Sequence, residues 1–169
     1  GPDIVIVTPF QQVGRLEQVT MGALRARRLQ QLRSADAHNR LRVLGPMVAG
    51  VSVNVHAKCL IADDALLQIG SANLSNRSMH LDTELDGALF GDSVHIAGVR
   101  CRLLAEHLGT TPDAVGAKVA ELGLAQGVDA LIETGVPERT LVPLSDAPHP
   151  GRDGLSTLPA PDLVDPPEP

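Results

Sequence analysis

Two stretches that read as strands, Val53 to Ala62 and Leu66 to Ile69, are separated by little more than Asp63-Asp64. So short a link predicts a tight turn and antiparallel pairing of two strands, because parallel strands need a crossover of a dozen residues or more. On a strand, residues i and i+2 share a face. His56 and Lys58 therefore project together, as do Ser71 and Asn73 just beyond the second run. Pairing through the turn lines both sets up at one end of the sheet. Gly70 leaves the backbone open there to an approaching ligand.

The remaining chain supplies strands and helices around this hairpin. Ile4 to Val7 is a short β-branched run ended by Pro9 and predicts a buried strand. From Leu16 to about Arg33 there is no Pro and a single Gly, which predicts a helix. Leu41 to Leu44 predicts a second strand, followed by a loop bounded by Gly45-Pro46 and Gly50, and Glu84 to Phe90 predicts another strand. Ala97, Cys101, Leu104 and Leu108 fall at helical spacing before a terminating Gly109. Thr111-Pro112-Asp113 has the chemistry of a helix start, with Val115, Val119 and Leu122 as its apolar stripe, and a shorter helix is expected around Val128 to Glu133. After Pro143 the chain turns Pro-, Gly- and Asp-rich without periodicity. The expected organisation is one globular unit over 1–142 and a mobile tail or linker over 143–169.

Composition narrows the chemistry. With two Phe and no Tyr or Trp, the core has to be built from Leu, Val, Ile and Ala, and bases find no aromatic platforms to stack on. A net charge of −6 also disfavours nucleic acid, whose phosphates are usually met by a basic surplus. Cys59 and Cys101 sit among apolar neighbours and are expected to be small core residues, with neither disulfide nor zinc spacing. No signal peptide and no membrane-length apolar run is visible. The chain starts at Gly1 and ends in Asp-Pro-Pro-Glu-Pro, so both ends look cut from something longer.

His56, Lys58, Ser71 and Asn73 amount to a nucleophile or base, a cation, a hydroxyl and an amide around one hollow, an inventory that suits a phosphate monoanion. A neutral imidazole is nucleophilic near pH 7, and attack on phosphorus divides a hard hydrolysis into two easier steps. The second ring nitrogen then needs an acceptor, for which Glu84 is the best placed. Lys58 and Asn73 hold the non-bridging oxygens and stabilise the charge of the transition state. Arg is the generic cation of this chain, twelve against two Lys, so Lys58 points to a need for an ammonium group. An ion held by His56, Asp63, Asp82 and Glu84 is disfavoured because Lys58 would repel it. Asp63 falls on the opposite strand face from His56, as the first residue of the turn. Asp82 and Asp86 read as solvated, and Arg77 and Ser78 as residues that cap or pin a loop.

His56, Lys58, Asp63, Gly70, Ser71 and Asn73 match H-x-K-x4-D-x6-G-S-x-N without a gap. The chain thereby resembles the phospholipase D superfamily and its HKD motif. Asn76-Arg77-Ser78-Met79 and Asp82-Thr83-Glu84 resemble bacterial phospholipase D/transphosphatidylase members. The resemblance implies an α/β/α sandwich with a mixed sheet, a histidine nucleophile, no metal or other cofactor, and transfer of a phosphatidyl or other phosphodiester group to water or an alcohol. It implies catalytic roles for His56, Lys58, Asn73, Glu84 and Asp63, with Gly70 and Ser71 at the phosphate and Arg77, Ser78 and Asp82 in support. It also implies a bacterial cytoplasmic or membrane-surface location, where the Arg-rich helix from Leu16 to Arg33 can face lipid.

The superfamily uses two such motifs, and this chain has one. His38, His80, His95, His107 and His149 lack the x-Lys companion. The second half is expected either upstream in the same protein, the favoured case, or from a second copy across a two-fold axis. Competing expectations are a homodimeric endonuclease of the same superfamily and a non-catalytic half that binds phosphate.

Overall fold

The computed structural model describes residues 1–10, 15–91 and 93–144, with the side chains of 15–24 left undescribed. The expected tail therefore lies, from residue 145 onward, outside the described residues. The fold is α/β, with a mixed sheet flanked by helices.

The first sheet is organised about one strand. β1 (Ile4–Val7) runs parallel to β2 (Leu41–Val48), in register from Ile4↔Leu41 to Val7↔Leu44, and α1 (Arg15–Ala35) connects them. The Asp36 carboxylate accepts from the Arg40 and Leu41 backbone N–H groups, each at 2.9 Å, and holds the turn into β2. β3 (Val51–Ser52) and β7 (Arg139–Pro143) pair antiparallel with β2. Both pair with Met47 and Val48, so they occupy opposite edges of β2.

The segment Gly45-Pro46, expected to open a loop, is instead the middle of β2, and the turn comes later at Ala49-Gly50. Proline is tolerated there because the ladder is interrupted on its N–H side. β1 stops at Val7 opposite Leu44, and β3 begins opposite Met47. Pro46 meanwhile uses its carbonyl to accept from Val53 N at 2.9 Å. Gly45 is needed for packing: a Cβ would stand 2.3 Å from the Phe10 ring.

Period-2 alternation along β2 sends neighbouring side chains to two separate cores. Val43 packs with Leu29 of α1 and Leu144. Leu44 packs with Leu141 and with helices α3 (Ser93–Leu108), α4 (Pro112–Leu122) and α5 (Leu124–Thr134), through Leu104, Leu108, Val115, Val128 and Leu131. Both faces of this sheet are thus covered by helices, and its core is aliphatic. Gly109 ends α3 with φ +61°, and Thr111 Oγ1 caps α4 by accepting from Ala114 N at 3.2 Å, both as the sequence predicts. The α4 stripe is uneven: Val115 is fully buried, but Leu122 is 37% exposed. Two features were not foreseen. α5 starts four residues earlier than expected, and β7 comes from a segment with no alternation to mark it.

The second sheet is an antiparallel meander of β4 (Lys58–Ala62), β5 (Leu66–Gly70) and β6 (Asp86–Phe90). Asp63 and Asp64 form the expected turn, both at φ 51°, closed by Ala65 N donating to Ala62 O at 2.9 Å. β4 is shorter than expected: residues 53–57 are irregular and link the two sheets. Leu67 is buried, whereas Leu60, Ile69, Leu89 and Phe90 remain exposed on both faces of the meander. Cys101 lies in the core as expected, but Cys59 is exposed, because cover on its strand face reaches Leu67 and not the Cys59–Ile69 pair.

An ion pair ties the meander to α3. Arg100 donates from Nε and Nη2 to the two Asp64 oxygens, each at 2.7 Å. The Arg100 hydrogen bond holds the Asp64 carboxyl below its ordinary value of 3.8, outweighing partial burial. Arg100→Ala is expected to lose about 1–2 kcal/mol at neutral pH, a partly exposed bidentate pair being worth less than a buried one. A carboxyl lowered in the folded state stabilises above its unfolded value and loses that effect as pH falls through the folded value. The Tm difference between wild type and variant should therefore persist from pH 7 to about 5 and shrink below pH 3.8.

Candidate functional site

The meander aligns three residues in one row. Lys58 is opposite Gly70, and Gly70 is opposite Asp86. Directly opposed residues of antiparallel strands share a face, so Lys58 and Asp86 flank a position with no side chain of its own. That absence is required. A Cβ on Gly70 would fall 1.4 Å from Asp86 Oδ1.

His56 lies two residues before β4 on the linking segment, with its side chain exposed. Lys58 Nζ is 3.2 Å from His56 Nδ1, 3.1 Å from His56 Nε2 and 2.9 Å from the His56 carbonyl oxygen, to which it donates. A neutral imidazole has one acceptor nitrogen, so the tautomer decides which ring contact is a hydrogen bond. The ammonium is thus held against the imidazole although the two residues do not share a continuous strand.

Just past β5, Ser71 is bound to the segment that leads into β6. Its Oγ donates to Glu84 Oε2 at 2.6 Å and accepts from Leu85 N at 3.0 Å, while its own N–H donates to Leu85 O at 3.1 Å. Glu84 was expected behind the His56 ring. Its carboxylate instead takes the Ser71 hydroxyl, and among the described residues no hydrogen bond joins it to His56. Asn73 follows with an exposed side chain, and its carbonyl accepts from Ser75 N at 2.8 Å.

The other motif residues support loops. Ser75 Oγ caps the short helix α2 (Asn76–His80) by accepting from Ser78 N at 3.3 Å, and Ser78 is buried. Arg77 Nη2 donates to Asp82 Oδ1 at 2.8 Å, and Arg77 O accepts from Asp82 N, which pins the turn after α2. Asp63 stands at the far end of β4 from the His–Lys pair. Five residues at about 3.3 Å each put it on the order of 16 Å from Lys58. No three His, Cys, Asp or Glu side chains among the described residues gather closely enough to hold a metal ion.

Asp86 was read as solvated, yet it has partners. Its Oδ1 accepts from Ala72 N and its Oδ2 from Gln68 Nε2, both at 3.3 Å. Counting the meander register from Lys58 through Gly70 would have found it.

Taken together, one end of the meander presents an imidazole with an ammonium against it, a hydroxyl anchored to a carboxylate, and an exposed amide. Those groups can attack an electrophilic phosphorus and donate hydrogen bonds to its oxygens. Neighbouring chain segments carry exposed apolar residues: Leu74 is 93% exposed and Leu85 83%, with Met79 and Leu81 also exposed.

The family model described as "Cardiolipin synthase, PLD-like domain" matches residues 1–97, more than half of the chain. The chain is also similar to Phospholipase D1 of Schizosaccharomyces pombe, with 35% identity over 77 residues, covering 36% of this chain and 6% of that protein. No solved structure matches it.

Proposed function

Since the chain belongs to the PLD-like domain family, we propose that it is one catalytic half of a phosphodiesterase or phosphatidyltransferase that works through a phosphohistidine intermediate. The observation that carries this reading is the Lys58 ammonium held within 3.2 Å of both His56 ring nitrogens, beside the Ser71–Glu84 pair. In the first step a His56 nitrogen forms a bond to phosphorus as the bond to the leaving alkoxide breaks. The alkoxide takes a proton from an acid, the histidine of a second motif. Water or an alcohol then attacks the adduct and returns that proton. In the complementary arrangement the two histidines exchange roles. Lys58 and Asn73 would hold the non-bridging oxygens, with Gly70 and Ser71 beside them, while Arg77, Ser78 and Asp82 keep the following loop in place. Asp63 serves the hairpin turn.

One motif supplies half of this chemistry. The exposed Leu74, Met79, Leu81 and Leu85, close in the chain to Asn73 and Glu84, favour a covering partner, since exposed apolar surface of this kind often marks an interface. The partner in this reading is a second motif-bearing half, joined in the same protein, and the unit described here extends through the buried Leu144. The substrate class is a phospholipid or related phosphodiester. The acidic charge makes DNA the poorer candidate. Exposed Arg27 and Arg28 on α1 suit contact with an anionic lipid surface from the cytoplasmic side. No helix among the described residues is long and apolar enough to cross a membrane.

The test is covalent trapping in the protein complete with both motifs. Short-chain phosphatidylcholine, quenched in alkali during turnover, should leave a phosphatidyl adduct on His56 or on the second motif's histidine, detected by peptide mass. Turnover should also be insensitive to EDTA. Loss of activity with chelator would overturn the metal-independent step. Absence of an adduct on either histidine would leave the chain a phosphate-binding half.

A further inference from the structure

Among the described residues, Asp86 is the one acidic side chain at this end of the meander to which the chemistry above gives no part, although the backbone makes room for it. Gly70 has no Cβ, and the vacant volume holds the Asp86 carboxylate. From that position Oδ1 accepts the Ala72 N–H and Oδ2 accepts Gln68 Nε2, each at 3.3 Å. Ala72 lies between Ser71 and Asn73, so its peptide sets the direction in which the Asn73 side chain leaves the turn. Ser71 is already fastened to Glu84 and Leu85 by three hydrogen bonds. Asp86 adds the fastening on the side nearer Asn73. An exposed carboxylate with no such task would point away from a phosphate site, because like charges repel there.

We propose that Asp86 is a positioning residue. Seated over Gly70, its carboxylate orients the Ala72 peptide and thereby aims Asn73 at the substrate phosphate. The inference rests on the phosphodiester-transfer reading for its effect on rate, but the contact itself can be read separately. Asp86 acts as a hydrogen-bond acceptor, not as a charge. An Asn can therefore replace it, with Gln68 turning its amide to match. Misplacing a catalytic group by a fraction of an ångström lowers the rate of the chemical step more than it weakens binding.

Two measurements test this. In the 15N-labelled chain, Asp86→Ala should move the Ala72 amide resonance while the amides of α3 to α5 stay in place, and Asp86→Asn should leave Ala72 near its wild-type position. An unmoved Ala72 amide in Asp86→Ala would overturn the contact. In the protein complete with both motifs, turning over short-chain phosphatidylcholine, Asp86→Ala should lower kcat roughly tenfold with KM nearly unchanged, and Asp86→Asn should recover all but about threefold. Gly70→Ala should lower kcat at least as far as Asp86→Ala, because its Cβ would displace both the carboxylate and the Asp86 backbone. Full kcat in Asp86→Ala, or equal losses in the Ala and Asn variants, would overturn the positioning role. Inactivity of the wild type would instead remove the reading of the site and leave the amide measurement to judge the contact.

Discussion

His56→Ala should abolish turnover of short-chain phosphatidylcholine by the protein complete with both motifs, with a loss of at least about a thousandfold. If the imidazole forms the bond to phosphorus, no neighbour can take over. Lys58 is its only close polar contact among the described residues, and a cation is no nucleophile. If His56 is instead the acid that protonates the leaving alkoxide, turnover still fails. Without it, a substrate with a poor leaving group cannot form the adduct on the partner histidine, because the departing alkoxide has no proton donor. The side chain is exposed and lies outside both sheets, so the Tm of the variant should stay within about a degree or two of wild type. A drop in activity accompanied by a matching drop in Tm would make His56 a structural residue.

The second large effect is expected at Lys58. Lys58→Ala should cost on the order of 100-fold or more in kcat, the usual result of deleting one transition-state contact. Lys58→Arg should recover little of it. The Lys58 amine reaches the His56 ring and its backbone carbonyl as a compact point donor from the first position of β4. A planar guanidinium is larger and directs its donors in a fixed fork, so it cannot occupy that space without pushing the imidazole aside. The checks are steady-state kinetics on both variants and adduct yield after the alkaline quench. An Arg variant with nearly full kcat would mean that only the charge matters. It would also leave unexplained why one of two lysines in an arginine-rich chain stands here.

Much of this site could be read from residue spacing. Asp63-Asp64 demanded a turn, the turn demanded antiparallel pairing, and pairing brought Lys58 opposite Gly70. The details that escaped are those where a tertiary neighbour chooses among partners. Glu84, at the start of the next strand, reads as the acceptor for the His56 ring, yet its carboxylate takes the Ser71 hydroxyl. Asp86 is exposed as expected, but its partners escape notice because nothing local marks an aspartate whose space is made by a glycine sixteen residues earlier. Cys59 reads as a core residue because its neighbours are apolar, while cover on its sheet face stops at Leu67 and leaves the Cys59–Ile69 pair exposed.

Local chemistry decided the elements that depend on nearest neighbours along the chain. The β-branched run of β1, the Thr111 cap, the glycine after α3 and the hairpin turn all follow from backbone preferences that act over a few residues. Their existence needed no tertiary information. The three-dimensional fold decided how far β2 runs, because Pro46 is acceptable only where the flanking ladder happens to break. It recruited β7, whose pairing energy comes from an edge of β2 about ninety-five residues away in the chain. It also split the strands between two sheets, so that His56 stands on the link and meets Lys58 through the amine's reach. Spacing along a chain encodes which groups can meet; which of them do meet is set by the volumes and hydrogen-bond partners that only packing supplies.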